Sequence, residues 1–379
     1  MANTLTNALP VLTEATRVVP REPVGVMQSM ALWPSDKPVG FGGTVRAPVV
    51  PAKAAGTFTP TVSPADVNTT VSAVELTLNQ SAEVTFDWSD EDARAMNAGD
   101  SGAVDYIVQS TQQAIRACLA KAEAYFHGVA YKGASRAFGT AGTAPMGTNL
   151  NDAAAVARIL DENGVGSDRS LVLGHAAIEN LRKQVTLTNI SSVPGGLADR
   201  MNLGILGNIF GMNVRASNYL TLHTAGTGTG YLVNKTAGVA VGDVSIPVDT
   251  GTNTILAGDV IQLGTGGLKY VVKTALATGV IGISAPGIFA AKADDTVITR
   301  AANYTPNLAI QRNAVTGVIR PPEVDVGGMV EESVILADAS SGFAFRMARI
   351  GGYGKKQVRI SCVYAGAVVN PEGIAVLLG

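Results

Sequence analysis

Three histidines (His127, His175, His223), two cysteines (Cys118, Cys362) and an acidic run (Asp87, Asp90, Glu91, Asp92) are the residues of this chain best suited to metal, acid–base or nucleophilic chemistry. Each histidine stands isolated in sequence, without an HExxH pair or a carboxylate at ligand spacing, so each reads as a structural or surface residue. The cysteines lie far apart and form no CxxC, which leaves neither a disulfide framework nor a zinc site and makes both small buried apolar residues. The acidic run lacks the alternating ligands and terminal glutamate of a calcium loop, and reads as solvated or ion-paired surface. No GxSxG elbow supplies a hydrolase nucleophile. Gly226, Gly228 and Gly230 form a GxGxG run, but no helix pattern follows it as dinucleotide binding requires. In Gly351-Gly352-Tyr353-Gly354-Lys355, Lys356 stands where a phosphate-binding loop needs Ser or Thr. The chain is therefore expected to be no enzyme and to carry no cofactor and no metal.

The elements that surround these residues set the class. With 379 residues, 46% of them apolar and 15% charged, the chain can bury a large core, and its 43 glycines call for many turns. A formal net charge of −2 argues against a broad basic face for gripping nucleic acid. The first 20 residues lack a basic head before an apolar run, so no secretion signal is expected, and no apolar window nears the ~20 residues of a bilayer span.

Residues 1–29 read as an arm in which Pro10, Pro20 and Pro23 limit any helix to short pieces. Between Leu32 and Pro64, prolines and glycines remove any helical period, while Trp33, Phe41, Val45, Val49, Val50 and Phe58 are costly to leave wet, at ~1.5–3 kcal/mol for a large side chain. This predicts a long two-stranded loop that docks on another subunit. Alternation from Val74 to Phe86 predicts a strand pair or bent strand. A 3.6-residue period then predicts a helix over Ala103–His127, about 37 Å long and stopped by Gly128, with Asp105, Gln109, Gln112, Arg116 and Glu123 on its exposed face. Further on come a helix over Asp152–Glu162 capped by Asn151 and closed by Gly164, a buried strand Leu171–Leu173, a helix over Ala176–Gln184, a glycine-rich stretch from Val193 to Gly211, and a strand Met212–Ser217. Helix signals vanish between Leu222 and Tyr304, where six short strands predict a separate all-β insert with five basic and five acidic residues. The class is α+β.

Charge is segregated. Ser81–His127 carries a net −5, and Gly342–Ser361 a net +5 from Arg346, Arg349, Lys355, Lys356 and Arg359. Two meanings are open: surfaces that meet between neighbouring copies and select one docking register, or two solvated faces.

Several motifs occur in a particular order: Trp33-Pro34, Phe86-Asp87-Trp88-Ser89-Asp90-Glu91-Asp92, Gly211-Met212-Asn213-Val214-Arg215-Ala216-Ser217, Asn307-Leu308-Ala309-Ile310-Gln311-Arg312-Asn313-Ala314, Arg320-Pro321-Pro322-Glu323, Gly342-Phe343-Ala344-Phe345-Arg346, Gly351-Gly352-Tyr353-Gly354-Lys355 and Asn370-Pro371-Glu372. This succession resembles the major capsid proteins of tailed phages in the P-twenty-two-like coat protein family. The resemblance implies the Hong Kong 97 capsid fold: an N-terminal arm over 1–29, an extended E-loop over 30–72, a P-domain over 73–149 with its spine helix at 103–127, an A-domain with returning P-domain strands over 150–221 and 304–379, and an inserted β-domain over 222–303.

It also implies self-assembly as hexamers and pentamers of an icosahedral head in the host cytoplasm. Scaffolding protein and portal would take part in assembly, decoration protein is a further partner, double-stranded DNA would be held non-specifically, and no membrane is involved. An encapsulin-like compartment of the same fold is the alternative. Lys37 and Lys53 lie in the loop, but no motif supplies a partner for an isopeptide, so no crosslink is expected. The inter-subunit contacts expected are Trp33, Phe41, Arg46, Phe58, Asp90, Glu91, Asp92, Arg346, Arg349, Lys355 and Lys356.

Overall fold

The computed structural model describes residues 23–34, 37–49, 72–89, 91, 102–183, 207–323, 330–337, 343–352 and 355–379. The expectations placed on residues 1–22, on Val50, Lys53 and Phe58, on Asp90 and Asp92, on Gln184 and on 193–206 lie outside these residues. The helices are α1 (Gly25–Ser29), α2 (Gly102–Lys132), α3 (Asn151–Glu162) and α4 (His175–Lys183). The strands before the β-rich segment are β1 (Ala31–Pro34), β2 (Thr44–Val49), β3 (Ser72–Thr77), β4 (Gln80–Ser89), β5 (Arg136–Phe138), β6 (Arg169–Leu173), β7 (Asn208–Ile209) and β8 (Met212–Ala216). Within that segment lie β9 (Leu232–Val233), β10 (Ser245–Asp249), β11 (Val260–Leu263), β12 (Lys269–Ala277), β13 (Val280–Ile283) and β14 (Ile298–Arg300). The chain closes with β15 (Pro306–Gln311), β16 (Val315–Arg320), β17 (Val330–Ala337), β18 (Ala344–Gly352), β19 (Lys355–Val368) and β20 (Ile374–Leu378).

Among the described residues, β1, β16, β19, β18 and β17 form one sheet in that order, with β4 as a further partner of β19. Alternation along β4 and β19 turns Ala82, Val358, Ile360, Cys362 and Tyr364 to one face. There they meet the buried stripe of α2: Ile115, Cys118, Leu119, Ala122 and Phe126, spaced by three and four. The Phe126 ring fits because Gly317 and Gly366 face it; a Cβ on either would come within 2.8 and 2.9 Å of the ring. Both cysteines are buried and free, as expected, but the fold puts their thiols in contact inside this core.

Three sequence expectations fail here. Helix α2 runs on to Lys132 because Ala130 and Tyr131 continue the buried stripe, which outweighs the ~1 kcal/mol propensity cost of Gly128 in a helix interior. Asn151 is the first residue of α3 and not its cap: Leu150 occupies that position without a side-chain bond, while Asn149 Oδ1 accepts from Asn151 N at 3.0 Å. Glu123 is not on an exposed face but wholly buried. Gly164 closes α3 at φ 68°, in the left-handed conformation such a stop requires.

A larger sheet runs β7, β8, β6, β15, β20, β5, β12, β13, β10, β9, with β11 and β14 branching from β12. Helices α3 and α4 cover β6, β15 and β20 through Val156, Leu160, Ile178 and Leu181 against Leu171, Leu173 and Leu377. Residues 222–303 contain strands and no helix among those described, around their own apolar cluster of Ile246, Ile261, Tyr270, Val272 and Ile281. Their ladder is nevertheless continuous with the rest: β12 pairs with β5 at Lys269↔Ala137 and Tyr270↔Arg136. Unpaired edges on β5 and β12 would leave backbone donors and acceptors without partners, and joining the two edges satisfies both. No described helix is long and apolar enough to cross a membrane.

Candidate functional site

The side of the six-stranded sheet away from α2 carries Trp33, Phe41 and Arg46 of the residues expected to touch other subunits, whereas Arg349 and Lys356 fall in register with the α2 side. Strands β2 and β3 form a two-stranded antiparallel pair, from Thr44↔Thr77 at its base to Val49↔Ser72 at its far end. At the base, Leu76 and Leu78 are buried against Val318, Val363 and Ala365 of β16 and β19, with Val45 and Val74 beside them. Part of the apolar surface expected to seek another subunit is thus covered by the chain itself. The opposite side of the pair is wet at Arg46 and Glu75, which bridge across it at 2.9 Å with side chains 72% and 54% exposed. A pair so exposed adds little stability.

Among the described residues of this face, Trp33 and Phe41 are the most exposed large apolar side chains. Trp33 of β1 lies in register with Val318, which places it on the face of the hairpin base, and is 43% exposed. Phe41, in the turn before β2, is 66% exposed and borders a recess of ≈ 380 Å³ between Glu83, Pro322, Arg359 and Ser361. Trp33 follows closely on the short arm helix α1, whose Val26 and Met27, like Met30 after it, are buried in the main core.

The basic residues of 342–361 divide. Arg346 is 6% exposed, its Nε donating to the Pro322 carbonyl at 2.5 Å and its Nη1 to Ser333 Oγ at 2.9 Å, so its charge is spent within the chain. Arg349 lies 3.1 Å from Glu331 and 3.7 Å from Glu332. Lys355 sits 3.8 Å from Asp87 with both side chains about half exposed, and half-buried Lys356 is in register with Trp88. Glu91 is exposed. The acidic and basic stretches meet in part inside one chain, because β4 and β19 are antiparallel neighbours over Gln80–Ser89.

Tertiary structure also assembles polar groups that are scattered in sequence. His223 donates from Nε2 to Asp259 Oδ1 at 2.8 Å, and its Nδ1 lies 3.2 Å from the Tyr131 hydroxyl. Asp259 also accepts from Gly226 N at 3.1 Å and from Leu256 N at 2.8 Å, and the Tyr304 hydroxyl donates to the Gly258 carbonyl at 2.5 Å. His223 and Tyr304 exchange backbone bonds of 2.9 and 3.3 Å, closing the neck through which the chain enters and leaves residues 222–303. Burial raises the Tyr131 and Tyr304 pKa values, so both phenols keep their protons. With His223 at 6% and Asp259 at 0% exposure, this carboxylate–imidazole–phenol chain is a structural pin.

His127, one turn before Tyr131, donates from Nε2 to the Pro306 carbonyl at 2.9 Å. Burial pushes its pKa down from 6.5 to about 4, against the smaller upward pull of that carbonyl. Below pH 6.5 the unfolded chain takes this proton first, so its stabilising contribution is whole above that pH and is lost down to about 4. The full loss is about 3 kcal/mol, of which roughly 1 kcal/mol falls between pH 7.5 and 5.5. His127→Gln is expected to remove that share of the acid sensitivity, which urea titrations at the two pH values measure; identical slopes for both proteins would exclude it.

Glu123 and Asp259 escaped the reading of the sequence. The signal for Glu123 was present: it stands four residues after Leu119 and three before Phe126, on the apolar stripe. Nothing local marks Asp259.

No protein-family model matches the chain, and no curated protein is similar to it in sequence. Solved structures are similar in shape. A capsid structure of cyanophage P-SCSP1u has a TM-score of 0.48 and 13% identity, covering 95% of this chain and 90% of that one. A structure from Mycobacterium phage Che8 scores 0.45 at 16% identity, over 95% and 88%. A virus-like particle from Pyrococcus furiosus scores 0.43 at 8% identity, over 99% and 100%. At these scores none of them speaks for a function.

Proposed function

We propose that the chain is the major shell protein of a tailed-phage capsid, a structural protein whose activity is to assemble with copies of itself into a closed icosahedral container. The observation that carries this reading is the uncovered set on one sheet face: Trp33, Phe41 and the Arg46–Glu75 side of the β2–β3 pair. A fully buried Trp or Phe contributes ~1.5–3 kcal/mol relative to exposure, and a monomer leaves much of that unrealised here. The motif series from Trp33-Pro34 to Asn370-Pro371-Glu372 supports the same reading.

In this reading residues 1–29 are the arm, 30–72 the extended loop, 73–149 the peripheral domain with α2 as its spine, 150–221 with 304–379 the axial domain and returning strands, and 222–303 an inserted β unit. Copies join as hexamers and pentamers, with scaffolding protein and portal acting in assembly and double-stranded DNA held without sequence readout. The contacts between copies run through Trp33, Phe41, Arg46, Glu91, Lys355 and Lys356. Arg346 and Arg349 serve the chain's own packing.

Trp33→Ala combined with Phe41→Ala is expected to lower particle yield at least about tenfold, since two buried aromatic contacts at every interface exceed the 1.4 kcal/mol that a factor of ten requires. The unassembled chain should keep its circular dichroism. Negative-stain microscopy and sedimentation read both quantities, and undiminished particles from the double variant would end the proposal. Nucleic acid inside particles recovered from the native source separates a phage head from a compartment that encloses enzymes.

A further inference from the structure

The seam between the body and the 222–303 segment holds a cleft of ≈ 460 Å³, walled by β5, the 139–145 loop, the face of α3 and the turn before β12. Pockets for small ligands span about 300–1,000 Å³. Arg136, Arg158 and Lys269 line it, against the single carboxylate of Asp152. Asp152 Oδ2 is engaged by Met146 N at 2.7 Å.

Behind the wall, Glu162 serves both arginines, at 2.6 Å from Arg136 Nη1 and 3.6 Å from Arg158 Nε. Lys269 is treated differently. Its ammonium donates to the Gly139 carbonyl, it forms no ion pair among the described residues, and burial moves its pKa downward. A half-buried ammonium without a counter-charge is costly, and an anion beside it removes that cost.

Arg136 is engaged within the wall. Its side chain is 1% exposed, its guanidinium carbon lies 3.9 Å from the centre of the Phe289 ring, and both Nη atoms are bonded. Of the three cations, only Lys269 thus has no ion pair among the described residues, and the hydroxyl-bearing Thr140 and Thr143 line the cleft beside it.

We infer that this cleft binds a compact tetrahedral oxyanion of the phosphate class, held by Lys269 and Arg158, as a charge-compensating bridge between β5, α3 and β12. The inference is independent of the shell reading, since it concerns one chain and needs no assembly.

The test uses the full chain and sodium phosphate as probe, against sodium chloride at matched ionic strength. Phosphate is expected to raise the melting temperature and to slow acylation of Lys269 by an amine-reactive ester, read by peptide mass spectrometry, at least about threefold at saturation. Lys269→Met, which keeps the apolar stem, is expected to weaken phosphate binding about tenfold or more in calorimetry, the value of one charge-assisted hydrogen bond. Arg158→Gln, at a side chain 61% exposed, should weaken it by a smaller factor without harming the fold. Equal Lys269 acylation in the two salts overturns the site even if Lys269→Met does not fold. Unchanged affinity in a folded Lys269→Met protein overturns it as well, and a melting temperature that rises equally with both salts means general screening only.

Discussion

Glu123→Ala is expected to destabilise the folded chain by about 2–4 kcal/mol and to loosen the arm before anything else. The Glu123 carboxylate is buried in α2 and accepts from Val26 N at 2.7 Å, Met27 N at 2.9 Å and Ser217 Oγ at 2.8 Å. Val26 and Met27 are among the first-turn donors of α1 that have no partner within the helix, so the carboxylate sits where that turn offers unpaired N–H groups. Removing it leaves two backbone donors buried without partners, at ~1–3 kcal/mol each, less what is regained by no longer burying a charge.

That regained amount is real. Burial raises the Glu123 pKa more than its three donors lower it, so its contribution is present below 4.5 and declines as pH rises through the higher folded value. Glu123→Gln keeps one oxygen acceptor without the charge and is expected to recover part of the alanine loss at neutral pH. Hydrogen exchange should rise first at Val26 and Met27, and with them at β1, which carries Trp33. Wild-type exchange across 24–34 in a folded alanine variant would show that the carboxylate does not hold the arm.

Asp259→Ala should have an effect of the same order, about 3–5 kcal/mol, because it strips partners from a buried cluster. His223 Nε2, Gly226 N and Leu256 N all bond to this one side chain. Asparagine keeps one acceptor oxygen and should restore some of the loss, whereas Tyr131→Phe removes a single 3.2 Å contact and should cost about 1 kcal/mol. The damage should concentrate at the neck, with faster exchange at 223–228 and 256–260 while the β12–β13 ladder stays protected. An unfolding free energy within about 1 kcal/mol of wild type, at an unchanged denaturant slope, would remove the pin from this account.

The two carboxylates share a property: each lies in the interior only because segments distant in sequence converge on it. Glu123 is 97 residues from Val26 and 94 from Ser217, and Asp259 is 36 from His223. Residue type argued for exposure in both cases. Convergence also decided the basic stretch, where Arg346 and Arg349 found partners in β17 and the preceding loop, and Lys355 found Asp87 across β4. It likewise brought Cys118 against Cys362.

What was legible in the residues alone was whatever depends on neighbours a few positions away. The apolar period marked α2, alternation marked β3 and β4, Gly164 marked the end of α3, and the loss of helical period at Leu222 marked the β-rich segment. The ordered motifs from Trp33 to Glu372 pointed to one family. Tertiary structure alone decided that α2 runs past Gly128, that β12 joins β5, that the hairpin base is covered by its own sheet, and which charges are spent inside. The physical reason is one of range. Side-chain periodicity records which face of an element is dry, because dryness repeats every two or 3.6 residues. The partner of a buried polar group is set by contact across the chain, and no local pattern encodes it.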